Sequence, residues 1–416
     1  MNKRYVPTSV GLYVNYFLYG MVNIMLASHM DLLTRDLHTD AAGISMLVSA
    51  MGLGRLFTLY ISGVLSDKWG RKPFVVAAGV LMALFLIGIP FSPNLGVAVI
   101  FAVLAGVSNA MLDSGTYPAL IEAFPRTTGS ATVLVRGVIS AGAAILPIMI
   151  VFLMNQGISY KFSFFLPAAV FLLNAYWLHK QRFPDMNANT DPSDQPHNSC
   201  DNSGDTHDSC TAPKFWKEGI CLILLGFTGP SLLYIMQLWL PTYGQTVIGL
   251  NHEDALKLFS YYNIGSLVSI GVLVAILGRF IKPVHVILLY PCISLLAFVG
   301  LLFMHSPLAA IINALLIGFS ISGVLQLALT VMSEFFGKRK GQATGFIYTA
   351  TSLAYTTIPF LTGLLLKYEG ISAVITLAIG LNLAGIGLAF YINIRYMVVF
   401  GKKKPGALRL SLRPPG

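Results

Sequence analysis

Three charged residues, Arg55, Asp113 and Arg136, stand inside long apolar stretches and are the best candidates for chemistry in this chain. A charge removed from water is costly, so it usually has a partner or a function. The planar fork of an arginine suits a carboxylate or a phosphate, whereas a buried carboxyl group can take up and release a proton. Two arginines against one acid favour an anionic ligand.

The three charges are expected at similar depths along their helices. At about 1.5 Å per residue, Arg55, Asp113 and Arg136 lie roughly 16, 13 and 10 Å from the nearest polar end. One interpretation is a structural ion pair between Asp113 and Arg136 on neighbouring helices. In the other, at least one arginine binds a substrate anion in a cavity. A proton-coupling role for Asp113 is compatible with both interpretations.

Uncharged polar side chains recur at helical spacing in several of the apolar stretches. We interpret them as the lining of a cavity for a hydroxylated or ring-bearing small molecule. The alternative is that they join helices to one another or lie at the membrane surface. The candidates are Tyr16, Asn23, Asn109, Tyr234, Gln237, Tyr262, Asn263, Gln326 and Tyr348.

The apolar stretches themselves predict an integral membrane protein. Hydrophobic residues make up 55% of the 416 residues and charged residues only 11%, whereas a soluble protein carries about 25% charged residues. Stretches of about twenty apolar residues predict membrane-spanning helices, because lipid offers no hydrogen-bond partners to an open backbone. The expected fold class is all-α and polytopic, with twelve transmembrane helices. The predicted spans are 9–29, 43–65, 74–92, 96–120, 130–154, 160–179, 217–243, 256–277, 284–304, 307–332, 341–366 and 371–397.

Lysine and arginine are distributed unevenly between the predicted loops. With the N-terminus inside the cell, the inner segments hold 21 of the 27 lysines and arginines, and the outer segments hold four. The remaining two, Arg55 and Arg136, lie within predicted spans. Cytoplasmic loops carry the excess of positive charge, so both termini are predicted in the cytoplasm. The same rule explains the net charge of +10 without invoking nucleic acid.

The chain is predicted to consist of two related halves. A shift of 212 residues superposes Gly106 on Gly318 and Glu122 on Glu334 without a gap. Two related six-helix bundles that face each other are typical of transporters with a site at their interface. The predicted divisions are a bundle at 1–180, a disordered cytoplasmic linker at 181–214, a second bundle at 215–398 and a basic cytoplasmic tail at 399–416.

The stretch GVLSDKWGRKP at 63–73 is a dense polar segment between two predicted spans. Its glycines suit a tight turn or a close backbone approach, and its acid can accept hydrogen bonds near a helix N-terminus. The simplest interpretation is a basic loop on the inner side of the membrane. The residues concerned are Gly63, Asp67, Gly70, Arg71 and Lys72.

This stretch also resembles the loop 2–3 signature of the major facilitator superfamily, with Lys68 in place of the usual arginine. With the twelve spans, the two halves and the central linker, the resemblance covers the whole chain. The segments around the motif are similar to uncharacterised enterobacterial inner-membrane permeases of the YdiM/YdiN type. The resemblance implies two six-helix bundles related by a pseudo-twofold axis, in a monomer. It also implies that the motif is a conformational latch, in which Arg71 pairs with Glu122.

The resemblance further implies a secondary active transporter that works by alternating access in the bacterial inner membrane. We expect a small organic solute, anionic or polyol-like, to be carried together with a proton for which Asp113 is the first candidate. A drug or metabolite efflux permease that exchanges its cargo for protons is the alternative. A non-transporting membrane sensor is a more distant one.

No cofactor, metal ion or enzymatic activity is expected. The sequence has no nucleophile–base constellation, phosphate-binding loop or dinucleotide fingerprint. Two pairs in the linker, His197 with Cys200 and His207 with Cys210, have ligand-like spacing, but the polar residues around them would not fold around a metal. The expected partners are the small-molecule substrate, a proton and the lipid bilayer.

Overall fold

The computed structural model describes residues 5–124, 128–184, 215–276, 281–336 and 340–400. Most of the predicted linker, with its His–Cys pairs, and the tail after residue 400 lie outside these ranges. The described helices are α1 Val6–Ser28, α2 Met30–Asp36, α3 Ala41–Trp69, α4 Arg71–Phe91, α5 Leu95–Ala123, α6 Thr128–Asn155, α7 Phe162–Lys180, α8 Ile220–Thr246, α9 His252–Ile276, α10 Pro283–Phe303, α11 Pro307–Ile321, α12 Val324–Phe335, α13 Lys340–Glu369 and α14 Ile371–Phe400. A π-helical turn, Phe215–Gly219, precedes α8.

Twelve segments of the described chain are long and apolar enough to cross a membrane, which confirms the predicted fold class. Local capping sets where several of these helices begin. Asp40, Asn94 and Ser306 precede α3, α5 and α11, and each side chain accepts a hydrogen bond from a backbone N–H of the first helical turn. Such caps satisfy donors that the helix itself leaves free.

The N-half (α1–α7) and the C-half (α8–α14) pack their helices in corresponding ways. An added Cβ on Gly106 of α5 would lie 2.0 Å from the carbonyl oxygen of Met51 in α3. An added Cβ on Gly318 of α11 would lie 1.9 Å from the carbonyl oxygen of Tyr262 in α9. The two glycines matched by the 212-residue shift therefore permit the same close helix crossing in each half.

The tenth span differs from its prediction as one continuous helix. It consists of α11 and α12, which are separated at Ser322 and Gly323. A serine–glycine pair is a common site of helix kinks, because glycine is a weak helix former and serine offers the backbone another partner. The break places Gln326 in the first turn of α12.

Among the described residues, the contacts between the two halves lie at mid-depth and on one side of the molecule. Helices α3 and α4 meet at Gly70, and we call the side that carries this turn the motif side. On the opposite side α3 packs against α13, where an added Cβ on Gly363 would lie 1.9 Å from Ser45 Oγ. Within the described ranges, no hydrogen bond or ion pair joins the halves at the motif side. We infer from this distribution of contacts that the space between the halves opens toward the motif side.

Candidate functional site

A cavity of about 1030 Å³, including the part open to solvent, lies between the two halves. It is lined by α1, α3, α5 and α6 of the N-half and by α8, α9, α11, α12 and α13 of the C-half. Every residue that the sequence predicted as cavity lining lies on its wall. These residues are Tyr16, Asn23, Arg55, Asn109, Asp113, Arg136, Tyr234, Gln237, Tyr262, Asn263, Gln326 and Tyr348.

Asp113 pairs with Arg55, so the predicted structural pair between Asp113 and Arg136 is wrong. Arg55 Nη2 lies 2.9 Å from Asp113 Oδ2, and the Tyr16 hydroxyl donates a hydrogen bond to Asp113 Oδ1. The close crossing of α3 and α5 at Gly106 decides this partner, because it brings the backbone of Arg55 against α5. With both of its oxygens satisfied, the carboxylate of Asp113 is stabilised in a mostly buried position.

Arg136 contacts the C-half instead. With the amide of Gln326 oriented to satisfy both of its neighbours, the amide oxygen accepts a hydrogen bond from Arg136 Nε at 2.7 Å, and the amide nitrogen donates to the Ser322 carbonyl at 2.9 Å. In the part of the chain that the structure describes, no carboxylate lies within 4.0 Å of Arg136. Arg136 therefore brings an uncompensated positive charge to the cavity.

Tyrosine and amide side chains supply much of the remaining polar wall. Asn109 donates a hydrogen bond to the hydroxyl of Tyr19. The ring of Tyr234 stacks on Tyr355, with ring centroids 4.5 Å apart. These contacts hold hydrogen-bonding groups and flat ring faces in fixed positions around the cavity, which suits a ligand with a planar body.

The sequence-based prediction missed part of the lining. Tyr19 follows Tyr16 by three positions and Ser140 follows Arg136 by four, so extending each polar stripe by one helical turn would have found them. The apolar lining has no such signal, because apolar residues occur on every face of the spans. It consists of Ile139, Gly229, Pro230, Leu233, Ile270, Ile321 and Leu325.

Arg71 joins the motif at 63–73 to the end of α5. Its Nη2 lies 3.2 Å from Glu122 Oε1, and its Nη1 contacts Asp67 and lies 3.2 Å from Ser66 Oγ. All of these partners belong to the N-half. The motif is thus organised as a network within one half of the molecule.

The glycines of the motif differ in their roles. Gly70 alone forms the turn between α3 and α4, with a φ of 88° that favours glycine. Gly63 lies inside α3 and an added Cβ there would meet nothing within 4 Å, so the expected close approach at Gly63 is absent from this conformation. Because α3 continues to Trp69, Asp67 lies in its last turn and does not cap α4, whose first turn contains the partly exposed Lys72.

An ion pair and a histidine–carboxylate contact join the halves on the opposite side. Lys367 Nζ lies 2.9 Å from Asp40 Oδ2, and His252 Nδ1 lies 3.6 Å from Asp31 Oδ2. The hydrogen bond from Lys367 lowers the pKa of Asp40, and the neighbouring His252 lowers the pKa of Asp31. Both carboxylates therefore stay charged at neutral pH, and Asp40 attracts Lys367 of the other half.

His29 is buried near these pairs, between α1 and α2. Its Nε2 lies 2.6 Å from Ser163 Oγ, and its Nδ1 has no hydrogen-bond partner among the described residues. Burial, and to a smaller extent the neighbouring His252, lowers the pKa of His29 to about 3. The imidazole is therefore neutral at ordinary pH.

Comparison with known proteins gives the family of this chain. The sequence signature of the Major Facilitator Superfamily matches residues 12–312. The chain is a member of the Major Facilitator Superfamily. The chain is 45% identical to the uncharacterized MFS-type transporter YfkL of Bacillus subtilis over 403 residues, which are 96% of this chain and 99% of that protein. It is 34% identical to the inner membrane transport protein YdiN of Escherichia coli over 390 residues, 94% of this chain and 90% of that protein.

This chain also shares its fold with transporters of known structure. The crystal structure of a D-xylose–proton symporter superposes with a TM-score of 0.74 at 13% sequence identity, covering 94% of this chain and 97% of that one. The predicted family and its twelve-span architecture are thus confirmed, and the chain is a multi-pass membrane transporter. At 13% sequence identity, the similarity to the symporter supports the fold of this chain and nothing further.

Proposed function

We propose that this transporter carries a small organic anion together with a proton, by alternating access, across the bacterial inner membrane. The observation that supports the anion is the uncompensated charge of Arg136 on the cavity wall. The second arginine, Arg55, is neutralised by Asp113 at 2.9 Å. An arginine without a carboxylate partner in a cavity attracts an anion from water and can bind its carboxylate with two hydrogen bonds.

The arrangement of the halves supports alternating access. The cavity lies between two homologous bundles and is closed on the opposite side, where α3 meets α13. The distribution of lysine and arginine favours a cytoplasmic motif side with both termini there. On this assignment the conformation is inward-open, and rocking of the halves would expose the cavity to the other side.

The pair between Arg55 and Asp113 offers a route for proton coupling. A proton added to Asp113 would cancel its charge and leave Arg55 as a second free cation in the cavity. Since the anion and the proton would then each favour the binding of the other, the two would move together in the same direction. Tyr16, which donates to Asp113 Oδ1, holds the carboxyl group in place for this exchange.

The motif at 63–73 would act as the conformational latch. Arg71, held between Asp67 and Glu122, ties the start of α4 to the end of α5. We expect this network to present Asp67 to the start of the eleventh span when the motif side closes. The latch would thus stabilise the outward-open state.

Flux into proteoliposomes tests the proposal. Uptake of organic anions should be driven by an inward proton gradient, abolished by Arg136→Gln and abolished by a protonophore. Asp113→Asn should leave anion exchange but remove its response to the gradient. Arg35→Gln, at an exposed position on the opposite side, is the control with the same loss of charge. Full anion uptake by Arg136→Gln would contradict the proposal, and an outward flux driven by the same gradient would favour an efflux antiporter.

A further inference from the structure

The charged residues on the cavity wall are unequally shared between the halves. Arg55, Asp113 and Arg136 all belong to the N-half, and none of the C-half lining residues carries a charge. Since Arg55 and Asp113 neutralise each other, the wall has a net charge of one positive unit. While Asp113 keeps its charge, a ligand with one negative charge is neutralised by this wall, whereas a second negative charge would be left without a partner away from bulk water.

The hydrogen bonds of Arg136 leave one edge of its guanidinium for a ligand. Nε is taken by the amide oxygen of Gln326 at 2.7 Å. The two terminal nitrogens have no hydrogen-bond partner among the residues that the structure describes. Their parallel N–H groups match the two oxygens of a single carboxylate.

The C-half supplies most of the apolar wall of the cavity. Leu233 of α8, Ile270 of α9 and Leu325 of α12 line it, whereas Ile139 is the one aliphatic lining residue of the N-half. These side chains come from three different helices of the C-half. Such an apolar wall stabilises a bulky apolar body by about 25 cal/mol for each Å² removed from water.

Aromatic rings lie near the charge as well. Tyr117, Tyr234 and Tyr348 line the cavity and are within electrostatic range of Arg136. Aromatic lining residues favour a ligand with a ring over one with a flexible chain, because aromatic pairs stabilise each other beyond their buried area.

We infer that the substrate is a monocarboxylate with a ring as its body, whose carboxylate binds Arg136 and whose ring lies against the apolar wall of the C-half. This inference rests on the proposed function and narrows it. Dicarboxylates and phosphate monoesters carry a charge too many for the cavity wall in which Asp113 is ionised and paired with Arg55. Neutral sugars do not use Arg136, and short hydrophilic acids such as acetate do not reach the apolar wall.

Ligand-induced thermal stabilisation of the purified full chain tests the inference at pH 7. The probes are benzoate and cyclohexanecarboxylate, their neutral amides, the dianion phthalate, and acetate. The two ring monocarboxylates should stabilise the protein, and the amides, phthalate and acetate should bind at least about tenfold more weakly. Arg136→Gln should remove the response to the ring monocarboxylates.

A second pair of variants separates the ring from the charge. Leu325→Ala removes part of the apolar wall, so it should weaken the binding of cyclohexanecarboxylate about fivefold. The binding that remains should still depend on Arg136. Leu308→Ala, at an exposed position outside the cavity, is the matched control. If phthalate or acetate binds through Arg136 as tightly as the ring acids, or if Leu325→Ala has no effect, the inference is overturned and the proposed function stands. If no anion of the panel binds through Arg136, both are overturned.

Discussion

The two sides of this transporter use the same kinds of charged residue in different ways. On the opposite side, Asp40 pairs with Lys367, and the two residues come from different halves. On the motif side, Arg71 pairs with Asp67 and Glu122, which belong to its own half. The pair between Asp40 and Lys367 joins the two halves on the opposite side, whereas the network of Arg71 lies within the N-half on the motif side.

The difference shows how a transporter can hold one state without locking it. Exposed ion pairs contribute only about 0–1 kcal/mol each, so neither set of contacts makes a state permanent. The close packing of α3 against α13 at Gly52 and Gly363 supplies the tighter contact on the opposite side. The proposed motion must break that packing on one side and build an equivalent contact on the other.

Gly52→Val is expected to have the largest effect, because its side chain would enter the contact between the halves. An added Cβ at Gly52 would lie 2.6 Å from the backbone nitrogen of Thr356. The opposite side should be forced open, and transport should fall by more than about tenfold, which corresponds to ~1.4 kcal/mol. Electron–electron distance measurements between spin labels at Arg35 and Tyr368 report the separation of the two halves on the opposite side.

Gly387→Val is the control for this substitution. Gly387 lies in α14, and an added Cβ there would meet nothing within 4 Å. The control should keep the wild-type label separation and transport rate. An unchanged separation in Gly52→Val would refute the assigned contact between α3 and α13.

Arg71→Ala should lower transport about tenfold while leaving the opposite side closed. Loss of the guanidinium leaves Asp67 and Glu122 without this partner, which weakens the tie between the start of α4 and the end of α5. Leaving a partly buried group unpaired costs on the order of 1–3 kcal/mol. Spin labels on both sides of the same protein distinguish the two sides. Lys68→Ala, at an exposed neighbouring position, is the control, and equal effects of the two substitutions would argue against the latch.

His29 should make the stability of the fold sensitive to acid. Its folded pKa of about 3 lies below the unfolded value of 6.5, so its contribution is fully present above pH 6.5 and is lost as the pH falls toward 3. At pH 6 the loss is about 1 kcal/mol. The thermal midpoint of His29→Gln should therefore vary less with pH than that of the wild type. His305→Gln is the exposed control, and an unchanged pH profile in His29→Gln would contradict the burial of His29.

Lys367→Gln should have the smallest effect, an increase of about two- to threefold in the population with the opposite side open. The effect should shrink in 1 M salt, where charges are screened within about 3 Å. Lys257→Gln is the matched control, because Lys257 pairs with Asp254 of its own half at 2.7 Å. If the two substitutions shift the label separation equally, the distinction between pairs across the halves and pairs within one half is wrong.

Much of the cavity was predictable from the sequence because helical periodicity assigns residues to faces. Polar residues three or four positions apart on an apolar helix share one face, and that face must avoid lipid. Tyr16 and Asn23 on α1, like Asn109 and Asp113 on α5, were identified in this way and line the cavity. The number of spans and the relation between the halves follow from composition and from the 212-residue repeat.

The tertiary structure decided which of the predicted residues meet. Asp113 takes Arg55 as its partner and not Arg136, because the crossing of α3 and α5 at Gly106 sets their rotation. The pair between Asp40 and Lys367 joins residues more than three hundred positions apart, and it forms on the side that happens to be closed. Sequence determines which face of a helix is polar, since that depends on local spacing. The pairing of charges within 3 Å of each other depends on the rotation and tilt of whole helices. Packing over the entire molecule sets that rotation and tilt.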